Sequence, residues 1–323
     1  MAQTFLDLGY SVDVISYRNA SFVPNKPYAY FVAARTNLER IAQQLNEDCI
    51  KIAQLDTAHW LVNNHGAYQR LLELKQRRGV VLANRKMVEQ NWALEAADYA
   101  IVLGNEFTID SYRYAGKPIF RVPISTTAVY SNPENKALDA VRNRYLWFGS
   151  AGLVHKGLDV VLEAFAAMPD FHLTVCGPIS GEEGFTQAFQ KELYETDNID
   201  TVGWVDVESQ AFIDILNRCV GTIYPSASEG GGGCVITCMH AGLIPLVSRE
   251  ASVDIGDFGV LLKDISVAEV TAAVQGLSAL PAQELQRRAQ ASWQHVRQHH
   301  TREAFAQKFK TVIYEITSLA AKC

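Results

Sequence analysis

From about residue 145 onward, short runs of β-branched and aromatic residues alternate with stretches whose apolar positions recur every three to four residues. That alternation is the mark of a parallel sheet covered by helices on both faces. The runs predict strands at 145–148, 172–176, 199–202, 220–224, 244–247 and 259–262. Between the first two, Leu158, Val161, Leu162 and Phe165 fall on one helical face, so a helix beginning near Gly157 completes a βαβ unit.

The first half reads the same way with less regularity. Strands are expected at 11–16, 28–32, 50–55, 99–103 and 119–122, and residues 1–8 have a helical pattern. A doubly wound domain opens on a strand and a glycine-rich turn, whereas this chain opens on that helical stretch, so the first domain is expected to lack its opening strand. Residues 124–144, with Ser131-Asn132-Pro133, read as a hinge or crossover. Near the end, Phe305, Phe309, Val312, Ile313 and Ile316 share the face of a helix that must dock on something. The expected domains are 1–140, 141–300 and a final helix at 301–323.

Composition supports this plan and narrows the function. A chain of 323 residues with 48% hydrophobic content exceeds what one core usually serves. The net charge of −6 and the lack of any Lys/Arg run argue against a nucleic-acid partner. Cys49, Cys176, Cys219, Cys234, Cys238 and Cys323 are scattered without CxxC spacing, which suits reduced, buried thiols in a cytoplasmic protein and indicates no metal site. No apolar run is long enough to span a bilayer, so any membrane contact is peripheral.

Candidate chemistry lies at strand ends. Tyr224-Pro225-Ser226-Ala227-Ser228-Glu229-Gly230-Gly231-Gly232-Gly233-Cys234 joins a strand to a helical stretch. Glycines there let backbone amides approach an anion, and the helix start adds a favourable partial charge; a flexible loop with a capping glycine is the plainer alternative. The second signal runs from Phe148 through Gly149, Ser150 and Gly152 to Lys156-Gly157. A lysine at the positive end of a helix calls for an anion beside it, a diphosphate for example, unless it is a solvated surface lysine. Gly177-Pro178, Gly203-Trp204-Val205 and Gly242 add open turns on the same edge, a groove suited to a nucleotide. In the first half His59 follows a strand and would face the cleft if the two domains oppose, with a satisfied core or surface histidine as the equal alternative, while Asp56 or Thr57 reads as a helix N-cap.

As a spaced set, Gly149…Lys156-Gly157, Pro225-Ser226…Glu229-Gly230…Gly232 and Gly242…Pro245 resemble the retaining GT-B glycosyltransferases of family 4, glycosyl transferases group 1. The resemblance implies two Rossmann-like doubly wound domains facing a cleft, with the final helix crossing back to the first domain. It implies a nucleoside diphosphate sugar on the second domain and an acceptor (glycan, lipid or small molecule) on the first. Transfer would retain configuration and need no cofactor or metal. Lys156 would hold the diphosphate, Glu229 would accept from sugar hydroxyls, and His59 would sit near the reacting sugar. Gly149, Ser150, Gly152, Gly177, Pro178, Trp204, Val205, Gly230, Gly231, Gly232, Gly233 and Thr237 would line the donor site. Two positions depart from the pattern: Thr237 stands where the family carries a second glutamate, and Ser150 where it often carries an arginine. An inactive sugar-nucleotide-binding protein of the same fold is the competing reading. A nicotinamide oxidoreductase is disfavoured, because no Gly-x-Gly-x-x-Gly turn with a following acid is present. Lys156→Ala is expected to abolish turnover with folding nearly intact.

Overall fold

The computed structural model describes residues 1–322; Cys323 lies outside the described residues. In the first half, α1 (Ala2–Asp7) precedes β1 (Tyr30–Ala33), α2 (Arg35–Ala42), β2 (Ile50–Leu55), α3 (Trp60–Arg78), β3 (Tyr99–Val102), α4 (Glu106–Asp110) and β4 (Ile119–Arg121). The four strands pair in parallel in the order β1-β2-β3-β4. This sheet therefore winds in one direction and has no reversal of strand order. The expected strand at 11–16 does not form. Its alternating Val12 and Val14 read as a strand, but the segment pairs with no strand, and Val14 is left 77% exposed. Strand propensity gives way where no ladder partner is supplied.

The second half contains β5 (Arg144–Phe148), α5 (Leu158–Ala166), β6 (His172–Cys176), α6 (Glu183–Ala188), α7 (Gln190–Tyr194), β7 (Ile199–Gly203), α8 (Gln210–Asn217), β8 (Gly221–Tyr224), α9 (Gly233–Met239), β9 (Ile244–Val247), β10 (Val260–Leu261), α10 (Val267–Ser278), α11 (Ala282–His299) and α12 (Arg302–Ala320). Its six parallel strands run β10-β9-β8-β5-β6-β7. Order reverses between β8 and β5, the topological switch point where open α/β sheets bind ligands. The two strands pair only through Tyr145 with Gly221 and Leu146 with Thr222, so their carboxyl ends are free to diverge.

The largest core packs Leu158, Val161, Leu162 and Phe165 of α5 with Tyr145, Trp147, Leu173 and Val175 of the sheet. The chain then returns to its beginning. Phe309, Val312, Ile313 and Ile316 of α12 form a core cluster with Phe5, Ile52, Tyr99, Ile101 and Val122. Two of the contacts that join the halves come from α3. Leu74 of α3 enters the core of the second sheet, and beside it the buried Arg70 guanidinium donates twice to the buried Asp159 of α5, at 2.9 and 2.8 Å. Arg77 donates to the same carboxylate at 2.5 Å. Cys49, Cys176, Cys219 and Cys238 are buried and Cys234 is half-buried, all as free thiols. Among the described residues no helix is long and apolar enough to cross a membrane.

Candidate functional site

The two glycine-bearing turns at the switch point converge. β5 ends at Phe148, and after an irregular stretch Lys156 stands just before α5; β8 ends at Tyr224, and Glu229 follows in the loop leading to α9. Lys156 is buried, with 2% of its surface exposed, and its ammonium donates to the Glu229 carboxylate and to the Tyr224 hydroxyl at 2.6 Å. Glu229 Oε1 also accepts from Tyr224 at 2.9 Å and from Ser226 at 3.0 Å. Three donors thus crowd one carboxylate oxygen. No donor reaches Oε2 among the described residues. Burial alone would raise the Glu229 pKa, but the Lys156 charge and hydrogen bond outweigh it and hold the carboxyl at about 2. The Tyr224 phenol is pushed well above its ordinary value, first by burial and then by the Glu229 charge.

The anion required beside Lys156 is thus Glu229, from the other glycine turn. Gly157 allows the close approach of the two turns, since a Cβ there would lie 2.3 Å from the Pro225 carbonyl. His155 braces the junction: its Nε2–H donates to the Ser228 carbonyl at 2.7 Å, and its own carbonyl accepts from Ala227 at 2.8 Å. Burial lowers its pKa to about 4, which keeps the ring neutral, and Nδ1 is left buried without a partner. The Ser228 hydroxyl is a second such orphan. Unpaired buried polar atoms cost stability unless something fills them.

The other anticipated donor contacts have varied surroundings. The amides of Gly149 and Gly177 are already taken, donating to Cys176 at 3.1 Å and Gly203 at 2.7 Å. The Gly152 amide donates to the buried Glu182 carboxylate at 2.5 Å, and Leu153 to the same oxygen at 3.2 Å. Ser150 is exposed, Pro178 is half-buried and Trp204 stands 74% exposed beyond β7, with Val205 packed beside the core at Leu146 and Phe212. Thr237 donates back to Gly233 at 2.9 Å and meets Thr126 of the crossover at 3.1 Å.

The glycine run Gly230, Gly231, Gly232 and Gly233 does something the sequence did not indicate. A Cβ on Gly230 would sit 2.2 Å from the Asp56 carbonyl oxygen, and one on Gly231 would sit 3.1 Å from that of Leu103. These glycines let the loop lie against strand ends of the first sheet, backbone to backbone. Beyond them α9 begins at Gly233 with no side-chain cap.

His59 is not brought into contact with Lys156 or Glu229. It is itself the N-cap of α3, in place of Asp56 or Thr57: its Nδ1 accepts from the Leu61 amide at 3.3 Å. Its Nε2 meets the Tyr114 hydroxyl at 3.3 Å, and that hydroxyl donates to Glu95 at 2.6 Å. Burial lowers the His59 pKa, partly offset by Glu95, so the ring is neutral near pH 7. A small cavity beside it is lined by Asp56, Thr57, Glu95 and Tyr112, adjoining the segment that covers Gly230.

One charged residue escaped the sequence reading. Lys86, in the irregular stretch after α3, lays its stem across Gly152, where a Cβ would meet Lys86 Cγ at 2.7 Å. Little local marks it, because three of the four hydrogen bonds that fix this stretch come from Asn63 and Asn64, more than twenty residues earlier.

Residues 142–279 match the family model described as glycosyl transferases group 1. No curated protein matches the chain. Among solved structures, sucrose-phosphate synthase from Thermosynechococcus elongatus superposes with a TM-score of 0.65 at 16% identity, over 90% of this chain and 74% of that one. Anabaena HepE, solved with UDP and glucose, gives 0.58 at 12% identity, over 83% and 72%. S. aureus TarM, solved as a mutant with UDP among its ligands, gives 0.58 at 11% identity, over 83% and 51%. The chain therefore spans about half the length of TarM. These likenesses establish the α/β fold with two parallel sheets as the GT-B fold.

Proposed function

We propose that the chain is a glycosyltransferase that takes a sugar from a nucleoside diphosphate sugar, retaining anomeric configuration and using no divalent metal. The observation that carries this reading is the Lys156–Tyr224–Glu229 cluster, buried where β5 and β8 part at the switch point. The family match over residues 142–279 covers all of it. UDP-sugars stand first among donors to test, since two of the structures of the same fold were solved with UDP.

In this reading the bond between the anomeric carbon and the diphosphate breaks, and the acceptor hydroxyl oxygen bonds to that carbon on the same face. The acceptor proton passes to the departing phosphate oxygen. Lys156 takes up charge developing on the leaving group, a role a fixed ammonium performs best where water is excluded. Glu229, with Oε1 saturated, turns Oε2 to donor-sugar hydroxyls. His59 belongs to the acceptor side. Thermal-shift measurements against UDP-, GDP- and ADP-sugars test the ligand class. Donor hydrolysis by the wild type and by Glu229→Gln tests the chemistry, and the variant should lose turnover far more than nucleotide affinity.

A second reading, a sugar-nucleotide-binding protein without turnover, is favoured by the contact of Gly230 and Gly231 with Asp56 and Leu103, which closes the loop against the first half. Selective stabilisation by a nucleotide with no donor hydrolysis under any condition would select it.

A further inference from the structure

The structure assigns Lys86, from the first half of the chain, as a second cation of the phosphate site at the switch point. This inference rests on the reading of that site as one for a phosphorylated ligand.

Three independent observations place it there. First, the backbone around Lys86 is pinned although it lies in no helix or strand. Asn63 of α3, itself buried, donates to the Lys86 carbonyl at 2.7 Å, and the Lys86 amide donates to Asn84 at 2.9 Å. Asn64 both accepts from and donates to Val88, at 2.9 Å each way. A lysine on a slack loop would not need four such anchors. Second, the stem passes over Gly152, and the Lys156 amide donates to the carbonyl of that same glycine at 2.9 Å. The Lys86 stem, from the first half, therefore crosses the turn of backbone that carries Lys156.

Third, the charges do not balance. Arg35 is matched by Asp56 through hydrogen bonds of 3.1 and 2.8 Å, and Lys156 is matched by Glu229. Glu182, the carboxylate nearest Gly152, spends its contacts on the amides of Gly152 and Leu153. The Lys86 ammonium has no hydrogen bond or ion pair among the described residues. Burial and then the like charge of Lys156 pull its pKa below the ordinary lysine value, with Glu229 acting the other way. A half-buried ammonium held beside another, with Lys156 paired to Glu229 Oε1 and Glu182 spent on backbone amides, is stable in that place when an anion joins it. A diphosphate is the anion the site implies. Lys86 would then supply the charge that Ser150 does not, which explains how the site works without an arginine after Gly149.

The experiment measures binding of UDP, GDP, ADP, the matching monophosphates and inorganic pyrophosphate to the wild type, Lys86→Met and Lys86→Arg. Methionine keeps the stem over Gly152 and removes the charge; arginine keeps the charge. Lys86→Met is expected to weaken the preferred nucleoside diphosphate by about 10- to 100-fold, the usual worth of a charge-assisted hydrogen bond, with Lys86→Arg close to the wild type. The monophosphate should lose much less. Diphosphate affinity unchanged in Lys86→Met would overturn the assignment of Lys86 and leave the nucleotide-sugar reading standing. Equal losses for mono- and diphosphate, with a lowered melting temperature, would also overturn it, since Lys86 would then be holding the halves together. Wild-type protein that binds pyrophosphate through Lys86 but binds no nucleotide would uphold Lys86 and overturn the nucleotide-sugar reading. Binding of neither would overturn both.

Discussion

Two buried ion clusters join distant parts of this chain, and they differ in how completely they are closed. Around Asp159 both carboxylate oxygens are taken, by Arg70 twice and by Arg77 once, and Arg70 reaches further to Glu73 and to the Ile265 carbonyl at 3.2 Å. What is left over lies at its margin, Arg70 Nε and Oε1 of Glu163, the latter a partner of Arg77 through its other oxygen. Around Glu229 three donors converge on one oxygen while Oε2, the His155 Nδ1, the Ser228 hydroxyl and the Lys86 ammonium are left without protein partners among the described residues. A cluster whose task is to hold two helices together satisfies its own groups. One that waits for a ligand keeps valences open, at a cost to the empty fold.

That contrast can be broken by mutation. Asp159→Ala leaves two arginines facing an uncompensated site and should cost about 3–5 kcal/mol in urea unfolding, with nucleotide affinity per folded molecule little changed. A loss under 1 kcal/mol, against that ~3 kcal/mol floor, would mean the cluster holds nothing. Lys156→Ala should cost nearly as much stability, because Lys156 is buried and its removal strands Glu229; the expectation of a nearly intact fold, read from the sequence, changes for that reason. The neutral pair Lys156→Met with Glu229→Gln should recover most of that stability and none of the turnover, since a buried pair is often replaceable but its charges are not. Recovery of both would remove the cluster from catalysis.

Smaller effects sharpen the picture. Gly230→Ala should destabilise by about 1–3 kcal/mol through overpacking against Asp56, and the unfolding midpoint would report it. Acid unfolding tests the Glu229 charge state. Its folded pKa, near 2, lies below the ordinary carboxyl value of 4.5, so its stabilisation is full above about 4.5 and fades as pH falls towards 2. Glu229→Gln should flatten the stability profile in that window, and an unchanged acid limb would place the charge elsewhere. Trp204→Ala, at an exposed turn, should shift stability by less than about 0.5 kcal/mol. Any loss of nucleotide affinity in that variant would put the indole against the base.

The second half was legible because its strands carry their own signals: six runs of apolar residues, four of them ending in a glycine or proline turn, give the strands observed from β5 to β10 within one or two residues. Lys156 and Glu229 were legible for the same reason, lying on turns that physics sends to one edge of the sheet. The first half was harder. Val12 and Val14 alternate like a strand, but whether they pair depends on an edge that local sequence does not describe. Lys86 was invisible because asparagines more than twenty residues earlier fix it, and asparagine pairs on a helix carry no signature. The glycine run was recognised, but its use was not. Flexibility for an anion and space for a facing backbone demand the same residue, and only the position of Asp56 and Leu103 separates them.

Cys234 occupies the first turn of α9, where burial raises its thiol pKa and the charges of Lys156 and Lys86 are felt. Cys49, Cys176, Cys219 and Cys238 are buried, whereas Cys234 is half-buried and directly follows the glycines that lie against Asp56 and Leu103. Its alkylation by a small maleimide therefore acts as a clock for parting of the seam between the halves: slow in the resting protein, slower when a ligand seals the cleft, faster when Gly230 can no longer press against its neighbour.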